Sequence, residues 1–239
     1  MNQGERDEIL FKLATAHLFP GQIRNPGGAV PSGRIPSPSR LAVMDDASLN
    51  QLANNAGLGK APPGAKADCD LATNGGWAGV SLKSNRGAAA TILNHTHRAG
   101  VLAAANRIGY NLNRLDQCIQ EYHALRSRGQ IPEDVPNNHP LSPFSAHATD
   151  LIPIVNYFLS YGTGGGNSPY PAQYVGTIFD PLQGLNGISV VPAQDFIQNN
   201  WHNIRFCMRN KNPSSLPESG PWNVQHDGRV RGELHIRMV

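Results

Sequence analysis

Lysine, cysteine and long apolar runs are all scarce in this chain of 239 residues. Its three cysteines, Cys69, Cys118 and Cys207, are odd in number, far apart and without a CxxC pair. That spacing excludes a disulfide framework, so each is expected as a small buried hydrophobe in a reducing, cytoplasmic setting. No apolar stretch reaches the roughly 20 residues that span a bilayer, so no membrane segment is expected. The first residues are polar and acidic, unlike a secretory leader. Five of the twenty cationic residues are lysine, at 12, 60, 66, 83 and 211, and fifteen are arginine. Arginine suits bidentate contact with phosphates and guanine edges better than it suits a generic solubilising surface. The net charge of +3 is too small to define a partner by itself.

What is abundant is glycine and proline, 25 and 19 residues, which implies many loops. No repeat of solenoid length occurs. Residues 3–17 have a helical stripe of Ile9, Leu10, Leu13 and Ala14, with Glu5 and Glu8 three apart on its surface. Residues 20–39 form a Gly/Pro/Ser loop or arm carrying Arg24 and Arg34. Residues 46–57 have an N-cap, a short amphipathic body and a closing glycine, so they predict a helix. A helix is expected to start over 88–93. Another, broken near Gly109, is expected over 101–128, with Asp116, Glu121 and His123 on a solvated face. Residues 150–161 predict a helix that tolerates Pro153 in its first turn, followed by a flexible Gly-rich run at 162–167. Strands are expected at 174–179, 188–191, 204–208 and 230–238, and a short helix at 193–201. In the last strand Val230, Leu234, Ile236 and Met238 alternate with Arg229, Arg231, Glu233, His235 and Arg237. That strand is expected either to face a DNA groove or to guard an exposed sheet edge with charge. These elements define an α/β chain with a mixed central β-sheet flanked by helices.

The chemistry concentrates in one hairpin. Lys66-Ala67-Asp68-Cys69-Asp70-Leu71 and Gly79-Val80-Ser81-Leu82-Lys83 both have strand character, and Asn74-Gly75-Gly76 between them signals a tight turn. By parity Asp68 and Asp70 share one face of the first strand, and Ser81 and Lys83 one face of the second. A carboxylate there can hold a divalent metal, and an ammonium beside it can position a water. An ordinary hairpin with solvated polar residues satisfies the same spacing.

Lys66-Ala67-Asp68, a glycine turn, then Ser81-Leu82-Lys83 and a following helix together resemble the PD-(D/E)XK nuclease fold, most closely its type II restriction endonucleases. The resemblance covers about the first hundred residues. It departs from the family pattern at Ala67, where a proline is usual, and at Ser81, where a carboxylate is usual. It implies a restriction-endonuclease-like fold in a single nuclease domain over 1–239, with the catalytic core mainly in 1–128 and further sheet and DNA-recognition elements in 129–239. It also implies Mg²⁺-dependent cleavage of double-stranded DNA at a short specific sequence, by a homodimer. Asp68 would be the principal metal ligand, with Asp70 near it and Lys83 beside the attacking water. Ser81 would stand in the acidic slot, and Glu5 or Glu8 would supply the first-helix acid. Asn85, Arg86, His95, His97, Arg98 and Arg34 would contact DNA. The alternatives are a repair or structure-specific nuclease of the same fold, or a non-catalytic DNA-binding module. His95 and His97, read on a helix, point about 200° apart and make a poor chelate. The 162–167 run lacks the Gly-Lys-Ser/Thr of a nucleotide-binding loop.

Overall fold

The computed structural model describes residues 1–87, 89–210, 222–226 and 229–238. In chain order the first elements are α1 (Gln3–Leu18), β1 (Ile23–Arg24), α2 (Pro38–Ala42), α3 (Asp46–Asn55), β2 (Cys69–Thr73) and β3 (Gly76–Ser84). Then come β4 (Thr91–His97), α4 (Arg98–Arg107), α5 (Asn113–Ser127), β5 (Val135–Pro136), α6 (Ala148–Asn156), β6 (Tyr174–Ile178) and β7 (Ile188–Pro192). The chain closes with α7 (Ala193–Asn199), β8 (Ile204–Asn210), β9 (Val224–His226) and β10 (Arg229–Met238). The fold is mixed α/β. Among the described residues no helix is long and apolar enough to cross a membrane.

The one central sheet expected from the sequence is two sheets. The first runs β1-β2-β3-β6-β7; the second runs β4-β10-β8-β5, with β9 paired to β10. The chain correspondingly divides into two compact units, Met1–Ala88 with Ser168–Ala193 and Ala89–Asn167 with Gln194–Val239.

In the first unit α1 starts from a capping box. Asn2 Oδ1 accepts from the Glu5 N–H at 2.9 Å, and Glu5 Oε2 accepts from the Asn2 N–H at 3.0 Å. The stripe of Ile9, Leu10, Leu13 and Ala14 is buried with Leu71, Val80 and Leu82 of the hairpin, and α1 packs on β3. The hairpin forms as its turn signal demands: Thr73 pairs with Gly76 across Asn74-Gly75, and Cys69 pairs with Val80. Strand β3 then pairs in parallel with β6, so its polar triplet sits on a central strand with neighbours on both sides. Residues 20–39, expected as a loop or arm, contain β1 and the first two residues of α2.

Gly79 is the tight point of this hairpin. A Cβ there would lie 2.2 Å from the Pro171 carbonyl oxygen and 3.1 Å from Ala67 Cβ. Gly79→Ala is therefore expected to force β3 away from the 171–173 backbone and to cost about 1–3 kcal/mol. A thermal melt would register it as a fall of several degrees, and an unchanged midpoint would show that the backbone there can shift freely.

The second unit is organised around β10, which is antiparallel to both β4 and β8. One face is core: Leu234 and Ile236 are buried with Phe206, whose ring stacks on Phe144 at 4.2 Å between centroids. The terminal strand is interior to the sheet, not an exposed edge, and Arg231, Glu233 and His235 on its polar face are buried. The helix expected to start over 88–93 is replaced by β4. Pairing with β10 and burial of Ile92 and Leu93 outweigh the helix propensity of the alanine run. His95 and His97 thus lie on a strand, and His97 caps α4 by accepting from the Gly100 N–H at 3.0 Å. The face of α5 read as solvated is largely engaged. His123 is buried and bonded to the Trp222 carbonyl, and Asp116 accepts from Arg98 Nε at 3.0 Å and Trp222 Nε1 at 2.7 Å. The Gly-rich run at 162–167 is tied down as well. Gly162 bridges to Asn167, and Arg107 donates to the Thr163 and Gly164 carbonyls at 3.0 and 3.2 Å.

Candidate active site

Asp68 stands one residue ahead of β2. Its N–H donates to the Val80 carbonyl at 2.8 Å, which extends the hairpin ladder and sets the carboxylate opposite Ser81. Asp68 Oδ2 accepts from the Leu82 N–H at 2.7 Å and from Ser81 Oγ at 3.2 Å. Lys83, on the same face of β3 as Ser81, donates from Nζ to Ser81 Oγ at 2.8 Å. The serine in the acidic slot is thus a relay: it accepts from the ammonium and donates to the carboxylate. Its burial, with 3% of the residue exposed, holds the hydroxyl in that single arrangement.

A second carboxylate comes from α1. Glu8 and Asp68 line one cleft of about 820 Å³, whose walls include Glu5, Ile9, Lys60 and the 61–65 loop. Glu8 Oε1 accepts from Lys12 Nζ at 2.7 Å, one helical turn on. Lys12 is fully buried and donates also to the Gly59 carbonyl at 3.2 Å. Burial pushes the Glu8 carboxyl above the usual range. Lys12 pulls it down, the negative charge of Asp68 pushes it up again, and Lys83 pulls it down, with a net rise. Glu8 therefore feels the charges of both Asp68 and Lys83.

No protein-family model, curated protein or solved structure matches this chain. The chemistry of the site is carried by its donor set alone. Two carboxylates facing one cleft are hard oxygen donors of the kind Mg²⁺ prefers, and their mutual repulsion is what a cation would relieve. Among the described residues no group of three or more His, Cys, Asp or Glu side chains gathers into a metal cage. An ion held by Glu8 and Asp68 would therefore keep most of its shell as water, the usual habit of Mg²⁺.

The remaining site residues of the sequence reading divide clearly. Glu5 lines the cleft, but its carboxylate is committed to the α1 capping box. Asp70 is held by Arg24, whose Nε donates at 2.9 Å, and by the Gly27 N–H at 3.2 Å. That arginine also lies 4.5 Å from the centroid of the Trp77 ring. Arg86 is paired with the fully buried Asp7 of α1 through Nε at 3.1 Å and through Nη2. Asn85 is an exposed turn residue whose N–H donates to the Ile178 carbonyl at 3.2 Å. Arg34 is exposed on a separate hollow of about 260 Å³ between the end of α1 and the 31–35 loop. His95, His97 and Arg98 belong to the second unit. His95 has a left-handed backbone (φ 35°), and its Nδ1 is 3.5 Å from Glu233.

Three residues were not anticipated from the sequence. Lys12 is the buried partner of Glu8. Lys66 lies close enough to Asp68 and Lys83 to feel both: burial and Lys83 push its ammonium down to about 8, against the pull of Asp68. Asp7 accepts from Arg86, Ser84 and Gln3 and so pins the end of β3 to the start of α1. Burial would raise the Asp7 carboxyl, and those three donors overcome it and hold it below the usual range. Only Lys66 had a signal in the sequence, its position two residues before Asp68 on the same strand parity.

Proposed function

We propose that the first unit carries the centre of a Mg²⁺-dependent endonuclease with a restriction-endonuclease-like core, cutting double-stranded DNA at a short specific sequence. The single observation that carries this reading is the Lys83–Ser81–Asp68 hydrogen-bond chain in the same electrostatic neighbourhood as Glu8, with both carboxylates lining one cleft. In this reading Asp68 and Glu8 hold the ion. Magnesium, when bound, supplies positive charge against the phosphoryl oxygens and acidifies water at the site. Lys83, fixed by Ser81, orients the attacking water and offsets charge building on the phosphate. Water oxygen bonds to phosphorus as the P–O bond to the leaving sugar oxygen breaks. A palindromic site would be read by a twofold dimer, because protein symmetry mirrors site symmetry.

Digestion of a plasmid with Mg²⁺, against the same reaction with chelator, tests the function. Discrete fragments that vanish with chelator are the expected result. Diffuse degradation would instead indicate a repair or structure-specific nuclease. Absence of cleavage with retained DNA binding would reduce the chain to a binding module. Sequencing the fragment ends then gives the site and the cut position.

A further inference from the structure

We infer that the polar face of β8 and β10 in the second unit reads G·C base pairs of the DNA target; this rests on the DNA-cleaving reading above. The register places Arg205 opposite Arg237, Cys207 opposite His235 and Arg209 opposite Glu233, so these side chains share one sheet face. Glu133 and Asp134, just ahead of β5, meet that face. Arg209 Nη1 and Arg231 Nη1 donate to Glu133 Oε1 at 3.0 and 2.8 Å, and Arg126 Nη2 lies 3.5 Å from Glu133 Oε2. Asp134 receives Arg209 Nη2 and Arg237 Nη2. Five arginines stand here against three acids once Glu233 is counted.

Among the described residues the acceptors around this network leave some buried nitrogens without a partner. Among the described residues the Nε atoms of Arg126, Arg205, Arg231 and Arg237 and Nδ1 of His235 have no hydrogen-bond partner. Arg231 and His235 are each nine-tenths buried. Meanwhile the side chains of Arg209 and Arg237 remain 28% and 31% exposed, and those of Glu133 and Asp134 32% and 22%. Guanidiniums clamped by carboxylates are held in fixed planes, which is the preorganisation a directional ligand needs.

The mixture of signs identifies the ligand. A phosphate placed against these arginines would also meet Glu133 and Asp134 and be repelled. A G·C edge in the major groove is neutral and offers both partners: guanine O6 and N7 accept from arginine, and cytosine N4 donates to a carboxylate.

The test uses the full chain in chelator, so that no strand is cut. Duplexes are selected from a random-sequence pool and their affinities measured by fluorescence anisotropy, for the wild type, Arg237→Lys and Arg205→Lys. The lysine variants keep the charge and lose the fork, so a merely structural or electrostatic role would leave discrimination intact. Selected duplexes should share G·C pairs at fixed positions. Replacing one such pair should weaken wild-type binding about 5–150-fold. At least one lysine variant should lose that discrimination at one position while keeping its affinity for random duplex. Shared positions made only of A·T pairs, or full discrimination in both folded lysine variants, would overturn the assignment and leave the nuclease reading intact. No binding by the wild type to any duplex, with no cleavage in Mg²⁺, would overturn both.

Discussion

Lys83→Ala should lower the rate of Mg²⁺-dependent cleavage by roughly 10²–10³-fold, the range typical for loss of one preorganised electrostatic donor. DNA binding and folding should survive. In the hydrogen-bond chain Lys83 Nζ reaches Ser81 Oγ at 2.8 Å, and Ser81 Oγ reaches Asp68 Oδ2 at 3.2 Å. With no carboxylate in the slot at Ser81, the hydroxyl fixes the ammonium next to the carboxylate. An alanine removes both the charge that steadies the phosphate and the group that aims the water. The structural cost is one hydrogen bond from a half-buried side chain, about 0.5–1.5 kcal/mol. Single-turnover cleavage of a labelled duplex, beside an equilibrium binding curve, separates chemistry from affinity. Wild-type turnover in the variant would remove Lys83 from the centre and leave the hairpin as a scaffold.

How much of this could be read from the chain depends on the range of each interaction. The hairpin was legible because its causes are local: an Asn-Gly turn and a period of two fix which residues oppose which. The first helix was legible for the same reason, from its stripe and the spacing of its acids. The role of β10 was not, because alternation of charged and apolar residues describes an edge strand and an interior strand with an ionic face equally well. What decides between them is the Glu133–Asp134 segment, about a hundred residues away in sequence, which pairs with Arg231 and Arg237. The strand β4 was hidden by the alanine run ahead of it, where local propensity points to a helix, and pairing with the far end of the chain wins. At the site, Asp68, Lys83 and Glu8 were legible as chemistry-bearing types at suggestive spacing. Nothing local showed that Asp70 is held by Arg24, or Arg86 by Asp7, since each partner lies tens of residues away. Nor did any local feature mark Lys12, a lysine on the helix face that the fold buries.

Glu8→Ala should cost stability and activity together, and a second substitution should separate the two. Lys12 is fully buried, and its ammonium has Glu8 Oε1 at 2.7 Å and the Gly59 carbonyl at 3.2 Å. Removing Glu8 strands that charge with a single neutral acceptor, a loss of about 3–5 kcal/mol by comparison with other broken buried pairs. In a chain of this size the melting midpoint should fall on the order of 10 °C. The double variant Glu8→Ala/Lys12→Met takes away the stranded charge and fills its channel with an apolar chain of similar length, so most of that loss should return. Cleavage should not return, because the second carboxylate of the cleft is still missing. Lys12→Met alone leaves Glu8 in place beside Asp68, with about a quarter of its side chain open to the cleft (26% exposed), and should retain cleavage. Melting curves and digestion of one labelled duplex across the three variants make the comparison. A double variant that cuts DNA at the wild-type rate would expel Glu8 from the metal site. A Glu8→Ala protein that melts with the wild type would show that the fold does not depend on the Glu8–Lys12 pair.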